Sequence, residues 1–260
     1  MLHIKDENKT SKRLRSIIYT IFNRLENNNN AVFSSNGEES FLDSYLSDNV
    51  KVVFDVGANI GEYSGLLLKK SKALGKDIEL HIFEPLSVCF KKIENEFSNE
   101  KKVFANNFGV SDNETSTEIY FDVEGSSFAS LYQRDLQSLN KELNKKEKIK
   151  LRRLDNYIKE KNISGIDLLK IDVEGHEVSV LKGIGKFLSP DFINVIQFEY
   201  GGANLDSRTY LKDLYAILKN KGYIVCKIMK NGIQPREYES KMENFQYANY
   251  LAINPALIND

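Results

Sequence analysis

The sequence predicts a doubly wound α/β fold, a mostly parallel sheet with helices on both faces. Two observations carry that expectation. From residue 51 onward, short apolar runs alternate with helical segments, and the first five runs are near-continuous apolar stretches, as buried parallel strands are. A glycine-bracketed turn then follows the first run, where open α/β sheets bind their ligands. A length of 260 residues fits one such domain with a small appendage.

Residues 1–48 form the expected appendage and 49–260 the main domain. In "SKRLRSIIYTIFNRLE", Leu14, Ile17, Ile18, Ile21, Phe22 and Leu25 recur at helical spacing, with basic residues on the other face. "ENNNN" breaks this helix, and "EESFLDSYLSD" reads as a second, short one. The pair is expected to pack on the main domain or on a second copy of the chain, giving a homo-oligomer through these helices. A membrane-surface helix is the lesser alternative, because basic residues are few and tryptophan is absent. His3 sits in the polar first stretch and is given no role.

In the main domain "KVVFDVG" is the first strand and "EYSGLLLKKSKAL" its helix. "IELHIFE" and "LSVCFKKIENEF" repeat the unit, and "KVFANN" is a third strand. "IDLLKID" and "INVIQFE" are the fourth and fifth, followed by "EVSVLKGIGKFL" and "DSRTYLKDLYAILKN". "YIVCKIM" and "YANYLAI" supply the last two. Residues 106–165 interrupt the pattern. Within them 140–153 carries a charge of +5 and reads as a solvated loop, or as a clamp for an anionic substrate group.

Composition excludes several classes. Lys plus Arg total 36 against 37 Asp plus Glu, so no global charge draws the chain to nucleic acid. The two cysteines, Cys89 and Cys226, lie far apart and outside any CxxC, which argues against a disulfide scaffold or cysteine zinc site. No apolar run approaches the roughly 20 residues of a membrane span, and the polar first stretch is not a secretory signal. A cytoplasmic protein is expected.

"VVFDVGANIGEYSGLLL" is the most informative segment. Asp55 ends a strand, Gly57 and Gly61 bracket the turn, and Glu62 and Tyr63 open a helix. A phosphate-binding GxxxxGK[ST] loop is excluded, because residues 57–64 contain no lysine. Asn59 stands where a dinucleotide GxGxxG would place its second glycine. The turn therefore suits an aminoacyl group joined to a nucleoside. Backbone N–H groups at the helix start receive a carboxylate, and Asp55 holds an ammonium group. Glu84 ends the next strand, at the separation where an acid accepts from ribose hydroxyls.

With these motifs, the sequence resembles the FkbM family of class I S-adenosylmethionine-dependent methyltransferases. The likeness rests on "FDVGANIGEYS", "IFEP", "NNFGVSD", "LRRLDNYI", "LLKIDVEGHEVSVLKG" and "IQFEY", across roughly residues 51–200. It implies a seven-stranded sheet with a reversed last hairpin, and methyl transfer to a hydroxyl oxygen. Asp55, Gly57, Asn59 and Gly61 would hold the methionine part of the cofactor, Glu84 the ribose and Asn107 the adenine, with Ala58, Tyr63 and Asp172 also binding the cofactor. The family's acceptors point to a small polar one, a sugar or nucleotide-linked sugar of surface-polysaccharide or natural-product synthesis.

The acceptor hydroxyl needs a base or a metal ion. Asp172 and Glu199 end the fourth and fifth strands, and make an oxygen-rich site for Mg²⁺ or Mn²⁺ facing the cofactor's reactive end. His176, four residues past Asp172, is the candidate base. Glu174 binds substrate or cofactor, and Glu177 is structural at the helix start. His81 falls inside a strand and reads as core. "EGSSFASLYQRD" supplies Ser126, Ser127, Tyr132 and Arg134 toward the acceptor, and "YGGANLDSR" is a second loop on that edge. The competing readings are a nucleotide-cofactor oxidoreductase, which the missing GxGxxG disfavours, and a non-catalytic binding protein of the same fold.

Overall fold

A computed structural model describes residues 8–258; His3 and the rest of residues 1–7 lie outside the described residues. In chain order the elements are α1 Lys9–Leu25, α2 Phe33–Asn36, α3 Glu38–Tyr45, β1 Val52–Val56, α4 Glu62–Ala73, β2 Glu79–Phe83, α5 Ser87–Glu96 and β3 Val103–Asn106. Then come β4 Gly109–Val110, β5 Thr115–Phe121, β6 Lys145–Arg152, α6 Leu154–Glu160, β7 Ile166–Ile171, α7 Glu177–Gly183 and β8 Ile193–Tyr200. The chain finishes with α8 Gly202–Ser207, α9 Leu211–Asn220, β9 Ile224–Met229, β10 Gly232–Pro235 and β11 Ala248–Ile253.

The main sheet has the order β10-β9-β11-β8-β7-β1-β2-β3. Pairings from β3 through β8 are parallel, and β11 inserts antiparallel between β8 and β9. That is the expected reversed hairpin. The sheet has eight strands rather than seven, because β10 folds back on β9 as a short antiparallel edge. All four β10 residues are exposed, so no apolar run marked it in the sequence.

Three further expectations are corrected. The basic stretch 140–153 is not a loop: β6 lies between β4 and β5 in a second, three-stranded sheet. Its Ile149 and Leu151 alternate with lysines, burying one face and solvating the other. "YGGANLDSR" is not a plain loop either but carries α8, which ends at Arg208 with a left-handed φ of 58°. The helix expected from Asp206 starts only at Leu211 for that reason. The helix after "DVEGHE" stops at Gly183, yet Val180, Leu181, Ile184 and Leu188 bury the face the spacing indicated.

The expected appendage divides. Phe41, Leu42 and Leu46, of α3 and the turn behind it, share one hydrophobic core with Val53 of β1 and Leu80 of β2. In α1, by contrast, no residue is buried. It packs neither on α3 nor on the sheet, contrary to the expected docking on the main domain. Among the described residues no helix is long and apolar enough to cross a membrane. His81 is core as expected: it is 1% exposed, with its ring between the Tyr157 hydroxyl and Glu79.

Candidate active site

A cavity of about 1170 Å³ opens over the C-terminal ends of β1, β2, β7 and β8, where open α/β sheets bind ligands. Its nucleoside end is built from the β1–α4 turn and Glu84. Glu84 is 5% exposed; Oε2 accepts from the Asn59 N–H at 2.9 Å and Oε1 from the Leu86 N–H at 2.8 Å. Each oxygen thus takes one backbone donor, and Glu84 lines the cavity. Burial is the main cause that pushes its pKa up to about 8, against the two backbone donors.

The glycines of this turn are demanded by packing. A Cβ on Gly57 would lie 1.8 Å from the Asp172 carbonyl oxygen, and φ is +86°. The Gly57 and Ala58 N–H groups donate to the Phe83 carbonyl, and the Gly61 N–H to the Ala58 carbonyl. Those amides are therefore engaged by backbone carbonyls, and the helix start is left to supply the carboxylate donors. The first turn of α4 has N–H groups without intrahelical acceptors, and its Glu62 and Tyr63 line the same space.

Side-chain alternation places the charged groups. Asp55 pairs in register with Lys170, and Lys170 with Gln197, so the three form one row across the sheet. Asp55 is 0% exposed; its Oδ2 accepts from Ser64 Oγ at 2.7 Å, while Oδ1 has no partner. Burial raises its pKa. An orphaned buried carboxylate oxygen fits water bridging to a cationic group. Tyr63 donates to Gln197 Oε1 at 3.1 Å, and the Lys170 ammonium lies 4.9 Å above its ring.

Extending the β7–β8 register one pair beyond Ile171–Phe198 sets Asp172 beside Glu199. Ligand atoms of Asp172, Glu174 and Glu199 lie within 4.8 Å of one another. Lys170 Nζ is 2.8 Å from Asp172 Oδ2, and Arg134 pairs with Glu174 and, at 3.4 Å, with Asp206. Glu174 has a left-handed φ of 51°, and Gly175 follows at +99°. A non-glycine residue held there stores strain of about 1–3 kcal/mol, which clusters at functional sites. Burial, partly offset by Arg134, pushes the Glu174 carboxyl up to about 8. Glu199 is driven up by burial and by the neighbouring carboxylates. Glu38, from α3, reaches the same cavity, and burial pushes it up to about 7.

His176 is held between two hydroxyls, with Nδ1 2.9 Å from Tyr132 and Nε2 2.9 Å from Ser111. Burial lowers its pKa to about 4, so the ring is neutral at physiological pH. Glu177 is structural as expected: Oε1 accepts from the Gly175 N–H and Oε2 from Asn204.

The structure brings Gly57, Ala58, Asn59, Tyr63 and Glu84 to one wall of the cavity, whereas Asp55, fully buried, and Gly61, whose N–H turns back to the Ala58 carbonyl, do not line it. It brings Asp172, Glu174, His176 and Glu199 to another, with Ser126, Ser127 and Arg134 across from them. Asn107 is not brought there: it is exposed, and its amide donates to the Glu84 and Pro85 carbonyls. The corresponding wall is Pro85, Leu86, Gly109 and Val110. Tyr132 stands behind the wall, on His176. Sequence reasoning missed Lys170, Glu38 and Ser130, whose hydroxyl donates to the Glu174 carbonyl. Lys170 carried a signal, as a lysine inside the apolar run "LLKI". Glu38 and Ser130 carried none.

The methyltransferase FkbM domain matches residues 55–225. No curated protein matches the chain. Among solved structures, the methyltransferase FkbM from Methylobacillus flagellatus is 15% identical with a TM-score of 0.49, over 93% of this chain and 60% of that one. The chain thus spans about 60% of the length of that relative. The 1,6-didemethyltoxoflavin-N1-methyltransferase of Burkholderia thailandensis is 9% identical with a TM-score of 0.43, over 97% of this chain and 93% of that one.

Proposed function

The chain belongs to the FkbM methyltransferase family, and from that premise we propose that it transfers a methyl group from S-adenosylmethionine to a hydroxyl of a small polar acceptor. The acceptor class we favour is a sugar or nucleotide-linked sugar. The observation that carries the reading is the pairing of two chemically different walls in one cavity: Glu84 and the glycine turn on one side, the Asp172, Glu174 and Glu199 cluster on the other.

The residues fit the cofactor. Glu84 accepts from the ribose hydroxyls, the first turn of α4 receives the carboxylate, and the buried, unpartnered Oδ1 of Asp55 reaches the ammonium group through bridging water. When bound, S-adenosylmethionine supplies an electrophilic methyl group on a sulfonium. Asp172 holds the acceptor hydroxyl, with its own geometry fixed by Lys170. A deprotonated member of the carboxylate cluster accepts the hydroxyl proton as the new C–O bond forms. Three carboxylates this close do not all ionise readily, so one group with a pKa near the working pH is the expected outcome. Ser126, Ser127 and Arg134 border the acceptor space, and Arg134 also anchors the 124–135 loop to Glu174 and α8. His176, the base expected from sequence, has both ring nitrogens engaged, so in this reading it positions Tyr132 and Ser111.

A second reading places Mg²⁺ or Mn²⁺ on Asp172, Glu174 and Glu199, supported by three oxygen ligands within 4.8 Å. There the ion would lower the hydroxyl's pKa. Lys170 and Arg134 already neutralise part of that charge, which favours the direct-base reading. Labelled-methyl transfer to a panel of nucleotide sugars, with and without chelator, tests both. Turnover unchanged by chelation removes the metal; no transfer to any sugar hydroxyl removes the acceptor class.

A further inference from the structure

We propose that α1 is a docking helix for an anionic bilayer surface. Leu14, Ile17, Ile18, Ile21, Phe22 and Leu25 are each between 40% and 70% exposed, and no residue of the helix is buried. At 3.6 residues per turn these six side chains form one stripe about 140° wide. Lys9, Lys12, Arg13, Arg15 and Arg24 lie outside that stripe, and 9–25 contains no acidic residue, in a chain whose net charge is −1. The acid after the helix, Glu26, is turned to the body of the protein by Lys227 and Arg236, and the acids before it, Asp6 and Glu7, lie outside the described residues.

The helix is firmly rooted. Asn27 is buried and donates to the Asn36 and Ile228 carbonyls, and Lys227 Nζ donates to Asn28 Oδ1 at 2.7 Å. Asn29 and Ala31, just past this root, line the cavity. A bilayer-bound α1 therefore holds the rim of the cavity near the membrane.

Charge decides between a bilayer and a second copy of the chain. Two α1 helices pairing along the stripe bring Arg13 and Arg24 of each copy together, and 9–25 supplies no acid between them. The stripe is also wider than a two-helix seam. Anionic headgroups complement the flanking cations, and the outer acyl region accepts a stripe of this width. A 17-residue helix without tertiary burial is marginal in water, and interfacial binding supplies the missing burial.

The test is co-sedimentation of the full chain with phosphatidylcholine vesicles, with and without phosphatidylglycerol, at low and high salt. We expect the wild type to sediment with the anionic vesicles, and high salt to release it. Ile18→Glu with Ile21→Glu abolishes binding. Arg13→Ser with Arg24→Ser weakens it by about tenfold or more. Neither pair shifts the unfolding midpoint, because α1 buries nothing. The proposal is overturned if the wild type stays in the supernatant with anionic vesicles at low salt, or if the double glutamate variant still binds. It is equally overturned if light scattering finds a dimer that Ile18→Glu splits, which assigns the face to a second copy.

Discussion

At one end of the cavity stands a single carboxylate, Glu84, with each oxygen taking one backbone N–H. At the other end stand three, Asp172, Glu174 and Glu199, within reach of one another and of Lys170 and Arg134. Burial raises the pKa at both ends, with Glu84 and Glu174 each at about 8. The surroundings differ. Glu84 is oriented by fixed backbone donors. The cluster's charge depends on its own members and on two movable side-chain cations. The first arrangement suits recognition of a neutral, hydroxyl-bearing ligand; the second suits a group that must change protonation during a reaction.

The largest expected effect breaks the reacting end alone. Asp172→Ala lowers turnover by about 10²–10⁴ while S-adenosylhomocysteine still binds, as read by single-turnover kinetics and calorimetry. Glu84→Ala does the reverse: cofactor-product affinity falls by about tenfold or more, and saturating cofactor restores much of the rate. Next, Lys170→Met removes the partner that orients Asp172. Turnover should fall, and the pH of half-maximal rate should rise as the cluster loses a cation. The smallest kinetic effect is expected from His176→Gln, which keeps side-chain hydrogen bonding to Tyr132 or Ser111. A rate within about tenfold of wild type supports positioning, whereas a loss as large as that of Asp172→Ala returns the base role to His176.

Stability against pH sharpens the same comparison. Glu84 keeps its proton in the folded state up to about pH 8, whereas the unfolded chain releases it near the ordinary value of 4.5. The folded state thus binds more protons in that window, so this group's contribution to stability falls as pH rises from about 4.5 to 8. His176, lowered to about 4, acts oppositely, adding stability as pH rises from about 4 to its ordinary 6.5. Glu84→Gln should therefore flatten the decline above pH 6.5, measured by chemical denaturation across the range.

Much of the sheet was legible because buried parallel strands are near-continuous apolar runs. "VVFDV", "ELHIF" and "INVIQFEY" all became strands at those positions. β10 and β6 were hidden because they bury few or no residues. The glycine turn was found, but the need at Gly57 comes from the Asp172 carbonyl, a contact between segments 115 residues apart that no local pattern shows. The acids at strand ends were legible from strand order. Their partners were less so: Arg134 reaches Glu174 from a loop 40 residues away, and Glu38 arrives from outside the repeating units. Asn107 illustrates the limit of spacing alone, since its neighbours turned its amide onto the backbone instead of the cavity.

The most direct test of the two-ended site is calorimetric titration of S-adenosylhomocysteine into the wild type, Glu84→Ala and Asp172→Asn, alongside NADH as competitor class. The account predicts binding to the wild type and to Asp172→Asn, weakened binding to Glu84→Ala, and none of NADH by any of the three. Binding of NADH in place of S-adenosylhomocysteine, or equal affinity in Glu84→Ala and wild type, would contradict it.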